Sequence, residues 1–192
     1  MINADCFLRV LAQHNVNFYS GVPNPLLSEF CFAVYNYSSE IIHQIACNDK
    51  AAIGMAIGSY LATGDIPAVY LKNSGLSNII NPVCSHATPE VYGIPLLIIM
   101  AWQSGSNDVE KNDTTDASQD KELTLESLSL LKKLHIPYQI LDEYGDDCEK
   151  KVASLLSIAH NECRPVALLI KKNIFSVNHN KQQHITSASV IN

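Results

Sequence analysis

The chain has 192 residues, 47% of them hydrophobic and 17% charged, and a formal net charge of −6. That length and apolar content fit one globular domain with a full core, and the acidic balance excludes the basic face of a nucleic-acid binder. A small anionic ligand stays open, because a few local donors are enough to hold one.

Short β-like runs alternate with helical segments. Val16–Ser20 predicts a strand that ends in the breaker-rich turn Gly21-Val22-Pro23-Asn24-Pro25, and Leu26–Tyr35 a helix. Ile41–Ala46 is the next strand. A helix of small residues, Ala51–Gly64, follows Asn48, an acceptable N-cap. Pro67–Leu71 is a strand ending at Asn73-Ser74-Gly75, with a helix beyond it to about Ser85. Pro95–Ala101 is the most apolar strand and belongs at the centre of a sheet covered on both faces. Gln103–Asp120 is polar and without period, a functional or disordered loop. Leu123–Leu134 then predicts a helix, Pro137–Leu141 a strand, Tyr144–His160 a helix and Val166–Ile170 the last strand. Residues 1–177 make the domain. Residues 178–192 form a polar tail, in which Ile185–Ile191 has the composition to dock. Strand–helix alternation implies a three-layer αβα domain around a mostly parallel sheet.

Six cysteines, at 6, 31, 47, 84, 148 and 163, show neither a CxxC pair nor zinc-ligand spacing. They read as small buried hydrophobes of a reducing compartment. No secretory leader is visible, and the longest apolar stretch, Ile94–Trp102, is too short to span a membrane. The expectation is a cytoplasmic protein without membrane contact.

Ligands of open α/β sheets bind at the carboxyl ends of strands, which selects three segments. Asn48-Asp49-Lys50 puts one carboxylate at a strand-to-helix junction. Asn73-Ser74-Gly75-Leu76-Ser77-Asn78 offers free N–H groups and short polar side chains at the start of a helix, suited to an anion or a polar ring edge, or simply to a capped turn. Gly21-Val22-Pro23-Asn24 lines a pocket or serves as a connector. The small residues of Ala51–Gly64 fit close packing on the sheet, or against another subunit or cofactor. His43 and His86 read as structural, Trp102 as packing at a pocket edge, and Lys50 and Lys72 as anion attractors or surface charges. Nucleophile elbows, zinc-protease helices, dinucleotide fingerprints and P-loops are all missing.

Together these segments resemble the pyrimidine-binding domain of thiamine-diphosphate enzymes, in particular phosphonopyruvate decarboxylase and the alpha subunit of sulfopyruvate decarboxylase. The resemblance is carried by Gly21-Val22-Pro23, Asn48-Asp49 with the helix through Leu61-Ala62-Thr63-Gly64, Pro67-Ala68-Val69-Tyr70, Asn73-Ser74-Gly75-Leu76 with Asn78, Asn81-Pro82, and Pro89–Pro95 ending at Trp102. It implies a thiamine-diphosphate fold. It also implies a carboxylate at Asp49 that hydrogen-bonds the cofactor's aminopyrimidine, promoting the imino tautomer that deprotonates the thiazolium for attack on a 2-oxo acid. Gly21, Val22, Pro23, Asn48, Asn73, Ser74 and Gly75 would line the cofactor. Asn24, Lys72, Ser77 and Gln103 would line the substrate.

The family has glutamate where this chain has Asp49, glycine where it has Lys50, glutamine where it has Lys72 and arginine where it has Gln103. The family's Gly-Asp-Gly diphosphate motif is represented only by Gly64-Asp65-Ile66 and Gly145-Asp146-Asp147, which lack the third glycine. The resemblance therefore implies a subunit that shares its site with a separate diphosphate-binding chain. That chain would hold most of the thiamine diphosphate and Mg²⁺, in a homodimer or heterotetramer. The leading expectation is a two-component decarboxylase of small 2-oxo acids. The alternatives are a non-catalytic regulatory domain and a carbon–carbon ligase subunit.

Overall fold

The structure, a computed structural model, describes residues 1–37, 41–102, 116–141 and 147–176, with the side chains of 116–124 outside that description. The chain opens with a short strand, β1 (Ile2–Asn3), and a helix, α1 (Ala4–Gln13). Neither is part of the sequence expectation. Asn3 starts the helix: its Oδ1 accepts from the backbone N–H groups of Asp5 at 2.9 Å and Cys6 at 3.2 Å. Phe7, Leu8 and Leu11 then fall on one buried face.

Next come β2 (Phe18–Gly21), a tight 3-10 turn at Pro25–Leu27, α2 (Ser28–Asn36) and β3 (Ile42–Ile45). Helix α3 (Asp49–Thr63) leads to β4 (Ala68–Lys72), a second 3-10 turn at Asn73–Gly75, and α4 (Leu76–Pro82). One π-helical segment, Val83–Ala87, extends α4, so the helix expected to reach Ser85 changes its winding after Pro82. The chain continues through β5 (Leu96–Trp102), α5 (Asp116–Lys133), β6 (Tyr138–Leu141), α6 (Cys148–Glu162), β7 (Pro165–Lys171) and β8 (Phe175–Ser176). The expected helix start at Tyr144 and the tail 178–192 lie outside the described residues.

Six strands form one all-parallel sheet in the order β3-β2-β4-β5-β7-β6, and β1 pairs with β8 separately. Helices α1, α2 and α6 cover one face, packing Phe7, Phe30 and Leu155 against Tyr19, Tyr70 and Ile99. On the other face, α3, α4 and α5 pack Ile53, Ile79 and Leu131 against Val69, Leu71 and Met100. The expected αβα layering is therefore the observed one. Strand β5 lies between β4 and β7 with every residue buried, as its uninterrupted apolar run required.

Two expectations are corrected. Of the six free cysteines only Cys148 is buried, while Cys6, Cys47 and Cys163 are exposed. Cys6 occupies the outer side of α1, where apolar neighbours in sequence point the other way. The small residues of α3 also divide. Ala52, Ile53 and Ala56 pack inward, whereas Gly54 and Gly58 face open space with nothing within 4 Å of a Cβ placed there.

Candidate functional site

Strand order puts a switch point between β2 and β4. The chain leaves β2 toward one edge of the sheet and β4 toward the other, and α2 and α4 lie on opposite faces. A crevice opens outside the carboxyl ends of such a pair. Gly21 ends β2, and Lys72 ends β4.

Asp49 sits at the first position of α3. Asn48, in extended conformation, caps that helix, its Oδ1 accepting from the Ala51 N–H at 2.9 Å. The Asp49 carboxylate is thus released from capping and reaches across to α4. There the Asn78 amide donates to Oδ2 at 3.1 Å. It also lies broadside against Gly75, where a Cβ would stand 2.8 Å from Oδ2 and 3.2 Å from Oδ1. Oδ1 has no hydrogen-bond partner among the described residues.

Asn73 is buried beside this corner. Its Oδ1 accepts from the Ser74 N–H at 2.9 Å, and its Nδ2 is a buried donor without a partner among the described residues. Ser74 and Ser77 are exposed, with the Ser77 hydroxyl donating to the Ser74 carbonyl at 3.2 Å. Lys50 and Lys72 are exposed and make no ion pair among the described residues. Gln103 lies outside the described residues. Asn48–Lys50 and Asn73–Asn78 therefore converge.

The Gly21–Asn24 turn is built differently. Gly21 pairs in register with Tyr70, and a side chain there would strike the Tyr70 carbonyl oxygen and lie 2.6 Å from its ring. That vacancy lets the Tyr70 ring cross β2, so that its hydroxyl meets His43 Nε2 on β3 at 2.9 Å. Burial lowers the His43 pKa and pushes the Tyr70 hydroxyl up. Pro23, Asn24, Cys31, Phe32, His43 and Ile45 contribute to the walls of an open, largely apolar cavity of about 490 Å³, and neither Asp49, Gly75 nor Asn78 lines it. Burial raises the Cys31 thiol to about 11. Both polar side-chain atoms of Asn24 are buried without partners among the described residues. Asn78 stands in the expected segment Asn73–Asn78, but the sequence reading gave it no role of its own. Its partner stands 29 positions away, and nothing in the sequence signals that pairing.

The family of thiamine pyrophosphate enzymes, in its N-terminal TPP binding domain, matches residues 1–123. The chain belongs to this family. Among solved structures, a chain described as a thiamin diphosphate-dependent enzyme from Mycobacterium smegmatis superposes on this TPP-binding domain with a TM-score of 0.69 at 16% identity, over 92% of this chain and 32% of that one. The domain thus spans about a third of that chain's length, and at this identity the likeness speaks for the fold. The comparison with curated proteins gives no match.

The Asp49 corner fits one edge of the cofactor. An aminopyrimidine presents ring nitrogens and an amino group. The corner presents a carboxylate oxygen unclaimed among the described residues, lying over Gly75 where any side chain would displace it.

Proposed function

We propose that this chain is the pyrimidine-binding subunit of a two-component, thiamine diphosphate-dependent 2-oxo-acid decarboxylase of the phosphonopyruvate decarboxylase type. The observation that supports this most is the Asp49 carboxylate, fixed at a strand end with Oδ1 unclaimed. Bound at this corner, thiamine diphosphate would supply the electron sink that a 2-oxo acid needs to lose carbon dioxide. Asp49 would hold the proton shared with a pyrimidine nitrogen, Asn73 would line the cofactor, and Gly75, bare of a side chain, would leave the Asp49 carboxylate its place. Lys72 would face the substrate side and attract an acidic group. A partner chain would hold the diphosphate and Mg²⁺; among the described residues, no three His, Cys, Asp or Glu side chains are grouped to hold a metal ion.

The test is to purify the chain with a diphosphate-binding partner and measure carbon dioxide release from phosphonopyruvate. Asp49→Ala is expected to lower the rate about 100-fold or more, the contribution of a positioned acid–base group. Unchanged activity would remove Asp49 from the reaction. The shorter acid and Lys50 beside it support a second reading, a regulatory domain. That reading predicts a stable complex that releases no carbon dioxide and forms no carbon–carbon bond when an aldehyde acceptor is added.

A further inference from the structure

We propose that Asn78 is the positioning residue of Asp49, and that Asn78 and Gly75 together make this corner a seat for aspartate rather than glutamate. The inference rests on the reading of Asp49 as the group that meets the pyrimidine.

An exposed aspartate at a helix start has several staggered rotamers open to it. Two contacts remove that freedom here. The Asn78 amide ties Oδ2 at 3.1 Å, and the carboxylate occupies the space that a Cβ on Gly75 would take. The backbone beneath is fixed as well, by the Asn48 cap. What remains is Oδ1, presented in one direction. No other described group competes for the carboxylate. Helix α4 carries no charged residue, Ser77 is engaged with the Ser74 carbonyl, and neither Lys50 nor Lys72 comes within ion-pair distance.

Asn78 donates without bringing a permanent charge. A cation in its place would add a counter-charge, whereas an amide fixes the position of the carboxylate through one donated hydrogen bond. The contact bridges the first turns of α3 and α4, so it also sets how far apart the Asp49 and Asn73 sides of the corner stand.

The same geometry sets side-chain length. A further methylene carries a carboxylate roughly 1.5 Å outward. A glutamate at position 49 would pass Asn78 and leave the Gly75 floor, or fold back and point neither oxygen at the ring. Asp49 is therefore matched to its neighbours, and substitution by the longer acid is expected to impair the corner.

Two measurements test this: spectra of the full chain, and titrations of the chain with its partner in which thiamine is the probe. In ¹H–¹⁵N spectra the Asn78 side-chain amide is expected to show one downfield proton, lost in Asp49→Ala. An amide signal indifferent to Asp49→Ala overturns the clamp. In thiamine titrations, Asn78→Ala and Asp49→Glu are each expected to weaken binding about 3- to 10-fold, the weight of one partly exposed hydrogen bond. The double variant is expected to lose less than the product of the two. Tighter binding by Asp49→Glu, or full additivity, overturns the matched seat. Melting temperatures of the variants are expected to stay together, separating positioning from damage to the fold. If the chain with its partner binds no thiamine while the amide signature persists, the reading of the site falls and the Asn78–Asp49 bond stands.

Discussion

At the scale of single residues, the absence of a side chain at Gly21 is as consequential as the acid at Asp49. Gly21 lies in β2 in register with Tyr70 on β4 and Ile45 on β3, and the Tyr70 ring, whose hydroxyl reaches His43, occupies the space its Cβ would take. The atoms in the way include backbone of a buried central strand, which cannot shift cheaply. Gly21→Ala is expected to cost about 3 kcal/mol, at the upper end of overpacking effects, read as a lower urea midpoint. His43 gives a pH signature. Burial lowers its folded-state pKa below 6.5, so as pH falls the unfolded chain takes up this proton first. The contribution to stability is complete above pH 6.5 and is lost as pH drops through the folded-state value. Unfolding curves between pH 5 and 7 are expected to show a slope that His43→Gln reduces. The sequence marked Gly21 as special and His43 as structural, but not that each is what the other needs.

At the scale of elements, local signals worked where they are strong. The Asn48 cap, the small-residue run and Gly64 bound α3, and Gly64 ends it in the left-handed region at φ 79°, its N–H bonded to the Tyr60 carbonyl. Gly64→Ala is expected to cost about 1 kcal/mol, because a Cβ is strained there; thermal unfolding measures it. The missed helix α1 also had its signal. Asn3 stands as a cap, with Ala4, Phe7, Leu8 and Leu11 at helical spacing behind it. The cysteines misled because an apolar neighbourhood in sequence is not one in space. On a helix, adjacent residues point about a quarter-turn apart, so Cys6 is exposed beside buried Phe7.

At the scale of the molecule, one face of α3 is left over. Gly54 and Gly58 face open space, and Leu61 is 70% exposed on the same helix. If the proposed subunit arrangement holds, Gly58→Arg is expected to weaken association with the diphosphate-binding chain at least tenfold while leaving the isolated chain's melting temperature within about 2 °C, because arginine favours a helix over glycine. Sedimentation and calorimetry read the two effects. The sequence by itself determined the alternation of strands and helices, the central burial of β5 and the three strand-end segments that carry the family resemblance, since periodicity, caps and breakers act over a few neighbouring residues. Only the tertiary structure decided that Asp49 meets Asn78, that Tyr70 crosses Gly21 to reach His43, and that the Gly21–Asn24 turn opens onto a different cavity. Those contacts depend on the strand order β3-β2-β4 and on which face each crossover helix covers, and chain neighbours do not encode that order.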